Sequence, residues 1–99
     1  MTALKDIAQK LRSKNAGPFW LTVDIFCGTP EAFAQVRDGL DTGAVAARFR
    51  VAAADLKRFD MAELNVVKFS LPRPQVQGTG ADRDMHGASF AQVLADMEV

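Results

Sequence analysis

The stretch Phe19-Trp20-Leu21-Thr22-Val23-Asp24-Ile25-Phe26-Cys27 decides the fold. Phe19, Leu21, Val23, Ile25 and Cys27 form an unbroken apolar set at every second position. Alternation of this kind places one side of a β-strand in a core. The interleaved set, Trp20, Thr22, Asp24 and Phe26, is mixed, so the second face of this strand is expected to be only partly covered. Asp is disfavoured in strand interiors. Asp24 is therefore expected either to pair across the sheet with Lys68 or an arginine or to face a ligand, and the ion pair is the plainer expectation.

Downstream, Gly28-Thr29-Pro30-Glu31 is a helix start. Thr29 can cap, Pro30 suits the first helical position, and Glu31 favours the positive end of the helix dipole. Phe33, Val36 and Leu40 mark the buried stripe, and Gly39 can end the helix in a left-handed conformation. Asp41 or Thr42 can cap a second short helix with Val45 and Phe49 facing inward. Residues 55–60 read as an edge strand of poor alternation. Leu64 to Leu71 reads as a better strand, with Val67, Phe69 and Leu71 sharing one face; Asn65 has the same parity. The two prolines of Leu71-Pro72-Arg73-Pro74 close it. Gln75 to Gly87 reads as a long glycine-rich and charged loop.

Both chain ends are ambiguous. Leu4, Ile7, Ala8 and Leu11 fall at helical spacing before the Gly17-Pro18 stop. Phe90, Val93, Leu94 and Met97 fit a helix capped by Ser89, whereas Val93, Ala95, Met97 and Val99 fit a strand equally well. The sum is a single domain over residues 1–99 of α+β class: an antiparallel or mixed sheet with helices packed on one face.

Composition limits function. Of the 99 residues 48% are hydrophobic and 24% charged, an ordinary globular balance. Twelve Lys+Arg face twelve Asp+Glu, which argues against non-specific nucleic-acid binding and against an electrostatic membrane anchor. One Cys and one His make a disulfide framework or a side-chain zinc site a poor expectation, and no cofactor is expected. No apolar run has signal-peptide or membrane-span length, so a cytoplasmic location is expected.

The most unusual segment is Arg12-Ser13-Lys14-Asn15-Ala16-Gly17-Pro18. It places two cations, a hydroxyl and an amide within four residues, just before the core strand. Arg grips carboxylate or phosphate bidentately and Lys adds a point charge. Asn15 and Gly17 tolerate left-handed conformations, so backbone N–H groups could form an anion nest. The plain alternative is a polar surface turn. On the long loop, Arg73, Asp82, Arg83, Asp84 and His86 carry charge. His86 is the obvious acid–base candidate, but it has no Ser or Cys partner beside it and reads as a solvated side chain. Cys27 reads as a small buried hydrophobe.

RSKNAGPFWLTVDIF (12–26), the helix opened by TPEAF (29–33), FSLPRP (69–74) and DRDMHGASF (82–90) together resemble a small bacterial family of similar length classed as a domain of unknown function. The resemblance spans nearly the whole chain. A fainter similarity links it to the ferredoxin-like C-terminal module of acyclic terpene utilisation proteins, through the Arg-Ser turn, the helix pair, an Asn before the later strand and the closing LADMEV (94–99). Small proteins of the first family commonly accompany those larger ones. The resemblance thus implies a ferredoxin-like fold, with strands near 8–14 and 92–98. It also implies a separately encoded, oligomeric small subunit of a lyase- or hydratase-type enzyme acting on an organic acid or acyl thioester. His86 and Cys27 depart from the family's usual pattern. In this picture Arg12, Ser13, Lys14, Asn15 and Gly17, with Arg73 and Asp84 closing over them, hold a small anionic ligand at the junction with a larger partner. A stand-alone dimeric module for a carboxylate or phosphate ligand and a purely structural subunit remain open alternatives.

Overall fold

Strand β2 (Trp20–Phe26) is the centre of the structure, a computed structural model that describes residues 2–17, 19–72 and 94–99. Leu21, Val23 and Ile25 are completely buried on one face. On one side β2 pairs with β1 (Lys10–Asn15), on the other with β4 (Val66–Pro72), and β3 (Lys57–Met61) completes the sheet beyond β4. All three pairings are antiparallel, giving the order β1-β2-β4-β3. The chain is therefore α+β with an antiparallel sheet. Its described elements run from a short helical turn (Leu4–Ile7) through β1 and β2, two helices and a 3-10 turn (Ala53–Asp55) to β3 and β4, and the βαββαβ order of a ferredoxin-like fold is not seen among them.

Helices α2 (Pro30–Gly39) and α3 (Thr42–Phe49) carry Phe33, Val36, Val45, Ala46 and Phe49 into one core with Leu21, Val23, Ile25, Val67, Phe69 and Leu71. Both caps form as the sequence indicates. The Ala32 N–H donates to the Thr29 hydroxyl at 3.1 Å, and the Ala44 N–H to the Asp41 carboxylate at 2.9 Å. Gly39 does not end its helix by turning left-handed, because it is the last helical residue and Leu40 caps it in extended conformation. Its hydrogen faces Val99, where a Cβ would come within 2.7 Å of the backbone. Close approach, not φ, is the reason for that glycine. Asn65 also differs from expectation. It stands in the β3–β4 turn at φ 54° and has no strand parity with Val67; its carbonyl accepts from the Cys27 N–H at 2.8 Å.

At the amino end only Leu4–Ile7 is helical (α1), a single turn. Two amides at the start of this turn donate outside it, Leu4 N–H to the Met97 carbonyl at 2.7 Å and Lys5 N–H to the Ala95 carbonyl at 2.9 Å. Helix-start donors with no partner inside the turn are thereby satisfied by the carboxyl-terminal segment. The helical spacing does not extend to Leu11, which instead joins the strand β1, as the family resemblance implies for residues 8–14. The strand implied near 92–98 is not present among described residues 94–99. They form a tight turn from Leu94 and a single bridge, Ala3 to Glu98, because their carbonyls are committed to α1. Leu94 is fully buried and Met97 nearly so. The long loop, Ser89, Phe90 and Val93 lie outside the described residues.

Arg58 joins the helical layer to the edge strand β3. Its guanidinium donates to the carbonyls of Leu40 (2.6 Å) and Arg37 (2.7 Å), to the Thr42 hydroxyl (3.1 Å) and to Asp60 (2.9 Å), and lies over the Phe69 ring. The planar fork thus satisfies carbonyls at the end of α2, where a cation is favoured. Lys cannot reproduce several divergent contacts. Arg58→Lys is expected to cost about 2 kcal/mol in urea unfolding, and an unchanged midpoint would contradict this clamp.

Cys27 closes the buried face of β2, with its thiol against the Ile25 carbonyl at 3.7 Å. Burial pushes its pKa up. As pH rises past about 8.5, the ordinary thiol value, the unfolded chain ionises while the folded chain does not. Stability must then fall with pH, because the native state holds the extra proton. Native protein is expected to react with a thiol reagent at pH 8 far more slowly than urea-unfolded protein. Cys27→Ala is expected to remove that part of the alkaline loss of stability, measured by denaturation at pH 7 and pH 9.5.

Candidate functional site

The sheet has a second face, opposite the helices. Register places its side chains in rows across the four strands. One row runs Lys10, Phe26, Val66, Met61; the next Arg12, Asp24, Lys68, Phe59; the next Lys14, Thr22, Ser70, Lys57. Beyond these, Trp20 lies beside Pro72. Four of the chain's five lysines and Arg12 stand on this face, against one carboxylate among the described residues, Asp24. Arg37 and Arg48 lie on the helices and Arg50 caps α3. A chain with no net charge therefore has a distinctly positive face.

Alternation on β1 follows from the same register. Lys10, Arg12 and Lys14 are exposed on the outer face, while Ser13 is buried and Asn15 half-buried on the other. Thus Arg12 and Lys14 are brought together, and Ser13 and Asn15, which are both engaged by other groups, are turned away from them. The backbone from 12 to 15 is extended strand, so it does not form the anion nest expected of a turn. Within residues 12–17 Gly17 is the one that takes a positive φ, 87°. Arg73 and Asp84, like Asp82, Arg83 and His86, lie outside the described residues.

Asp24 has Arg12 and Lys68 as its cross-strand neighbours, the pairing geometry that sequence reading anticipated. Among the described residues no ion pair forms there; the three that do form are Lys5–Asp96, Arg37–Asp38 and Arg58–Asp60. The aromatic component of the face is exposed: Trp20 is 40% and Phe59 47% accessible. Lys57 Nζ lies 5.8 Å from the centroid of the Trp20 ring, within cation–π range. The residues that sequence reading did not assemble are Lys57 and Ser70 on the other half of the sheet, together with Thr22. The readable clue was the alternation Lys10, Arg12, Lys14 itself, which is strand spacing.

Two cavities lie mainly elsewhere. One, of about 390 Å³, is formed by Asp60, Met61, Ala62, Glu63 and Leu64 at the β3–β4 turn. The other, of about 200 Å³, lies between Lys5 and Lys10 and touches the cationic strand only at Lys10 and Leu11. Among the described residues no group of three or more His, Cys, Asp or Glu is placed to hold a metal, and no helix is long and apolar enough to cross a membrane. The arrangement can attract an anion and offer it ammonium, guanidinium and hydroxyl donors beside an aromatic surface.

No curated protein and no solved structure matches the chain. One family model does. With residues 4–98 covered by it, the chain belongs to the family described as domain of unknown function DUF4387.

Proposed function

We propose that the protein is a non-catalytic small subunit that works through the outer face of its sheet, where Arg12 and Lys14 hold an anionic group at the junction with a larger polypeptide. The observation that carries this reading is the segregation of four lysines and Arg12 onto one face where, among the described residues, Asp24 is the one carboxylate. Like charges gathered on one surface disfavour each other unless a partner or ligand of opposite sign meets them. The same repulsion disfavours a dimer built on this face, so the complementary surface belongs to a different chain. The sequence offers no convincing nucleophile–base pair of its own.

The larger partner is inferred to resemble an acyclic terpene utilisation protein and to act on an organic acid or acyl thioester by hydratase- or lyase-type chemistry. That part rests on the sequence resemblance and on no residue of this chain. Arg73 and Asp84 are the further candidates to close over the anion. A cytoplasmic location fits the same reading.

Co-purification from the native host tests it. Tagged wild-type protein is expected to recover a larger polypeptide in stoichiometric amount. Arg12→Glu with Lys14→Glu is expected to cut that recovery at least tenfold while leaving the melting temperature within a few degrees, since both side chains are exposed. In the reconstituted assembly Arg12→Ala is expected to weaken activity by about 1.5–3 kcal/mol, the worth of a charge-assisted contact. Equal recovery and unchanged kinetics would leave the face a structural surface only.

A further inference from the structure

We propose that the row Lys14–Thr22–Ser70–Lys57 is an oxyanion subsite that takes a carboxylate or phosphate group, with Trp20 as the platform for whatever carries that group. This deepens the reading of the outer face as the working surface and rests on it. The row is built symmetrically: an ammonium on each edge strand and two hydroxyls on the central strands between them. It contains no carboxylate. In the neighbouring row Asp24 sits between Arg12 and Lys68.

Thr22 provides the second, independent observation. The residue is only 7% accessible, and its Oγ1 is buried without a hydrogen-bond partner. An unpaired buried hydroxyl is destabilising, and native structures hold few. Valine has nearly the same shape, suits a central strand and would avoid that cost. A hydroxyl kept at such a position is accounted for by a ligand that accepts its hydrogen bond. Lys14 and Lys57, at the two ends of the row, are exposed and long, so their ammonium groups can reach an anion in the row and neutralise it. Lys57 already rests over Trp20. An oxyanion that draws its ammonium off the ring changes the surroundings of the chain's one tryptophan.

Trp20 emission therefore reads the site directly. The full-length chain is titrated with inorganic phosphate and, separately, with acetate, at constant ionic strength made up with chloride. A saturable change in emission is expected, and the arm that saturates at lower concentration assigns the group as phosphate or carboxylate. Thr22→Val is expected to weaken that binding at least tenfold while raising the melting temperature by a few degrees. Ser70→Ala is expected to weaken it as well, and Lys10→Gln, two rows away, to leave it nearly unchanged. Emission that follows ionic strength alone overturns the subsite. So does a Thr22→Val protein that is more stable yet binds as wild type, because the hydroxyl would then have no ligand role. Either result, alongside charge-dependent recovery of the larger polypeptide, leaves the outer face as a docking surface without this subsite. Saturable binding without such recovery leaves the subsite and removes the partner.

Discussion

Everything on the outer face depends on the complete burial of Leu21, Val23 and Ile25 on the other side of the same strand. Each contributes on the order of 1.5–3 kcal/mol by leaving water. A register slip of one residue would exchange them for Thr22, Asp24 and Phe26, which makes the slip prohibitive. Once β2 is held, its ladders place β1 and β4, and through β4 also β3. The chemistry of the exposed surface is therefore a consequence of apolar packing that no ligand ever touches. Lys14 and Lys57 are 43 positions apart in the chain, yet they flank one pair of hydroxyls because the core allows no other register.

Among the described residues both longer helices lie on the other side of the sheet. Arg58 binds the end of α2 and the start of α3 to β3, which holds both helices on the core side. The carboxyl-terminal segment occupies the donors of α1 and lies against Gly39. Acidic side chains follow the helices, turns and ends: Glu31, Asp38, Asp41, Asp55, Glu63 and Asp96 are all off the outer face. Among the described residues two unlike surfaces result, one mixed in charge and one positive with aromatic rings.

Much of this was legible in the sequence because it is local. The alternation of 21–27, the Thr29 and Asp41 caps, and the shared face of Val67, Phe69 and Leu71 all depend on neighbours within a few residues; Phe19, which continues the apolar alternation in the sequence, precedes β2 and is 60% exposed. What was not legible depends on contacts between distant segments. Leu4, Ile7, Ala8 and Leu11 have helical spacing, but one helical turn is a weak nucleus, and the free edge of β2 captures Leu11 into a strand. Gly39 reads as a helix terminator until Val99 is seen beside it. Asn65 reads as a strand residue until Cys27 is seen to need its carbonyl. The site follows the same rule. Arg12 and Lys14 were found as a cluster, but Ser13 and Asn15 were grouped with them because a turn was assumed where a strand alternates faces. Net charge misled in a related way, since a sum of zero over the chain says nothing about how register sorts the signs.

The central claim, that the outer face is engaged in the working protein, is tested most directly by lysine footprinting with an acetylating reagent, comparing the isolated chain with the assembly purified from its host. Lys14, Lys57 and Lys68 are expected to lose reactivity together in the assembly, while Lys5, ion-paired with Asp96 outside the face, stays as reactive as before. Equal reactivity of Lys14, Lys57 and Lys68 in the two samples, or protection of Lys5 in their place, would contradict the account.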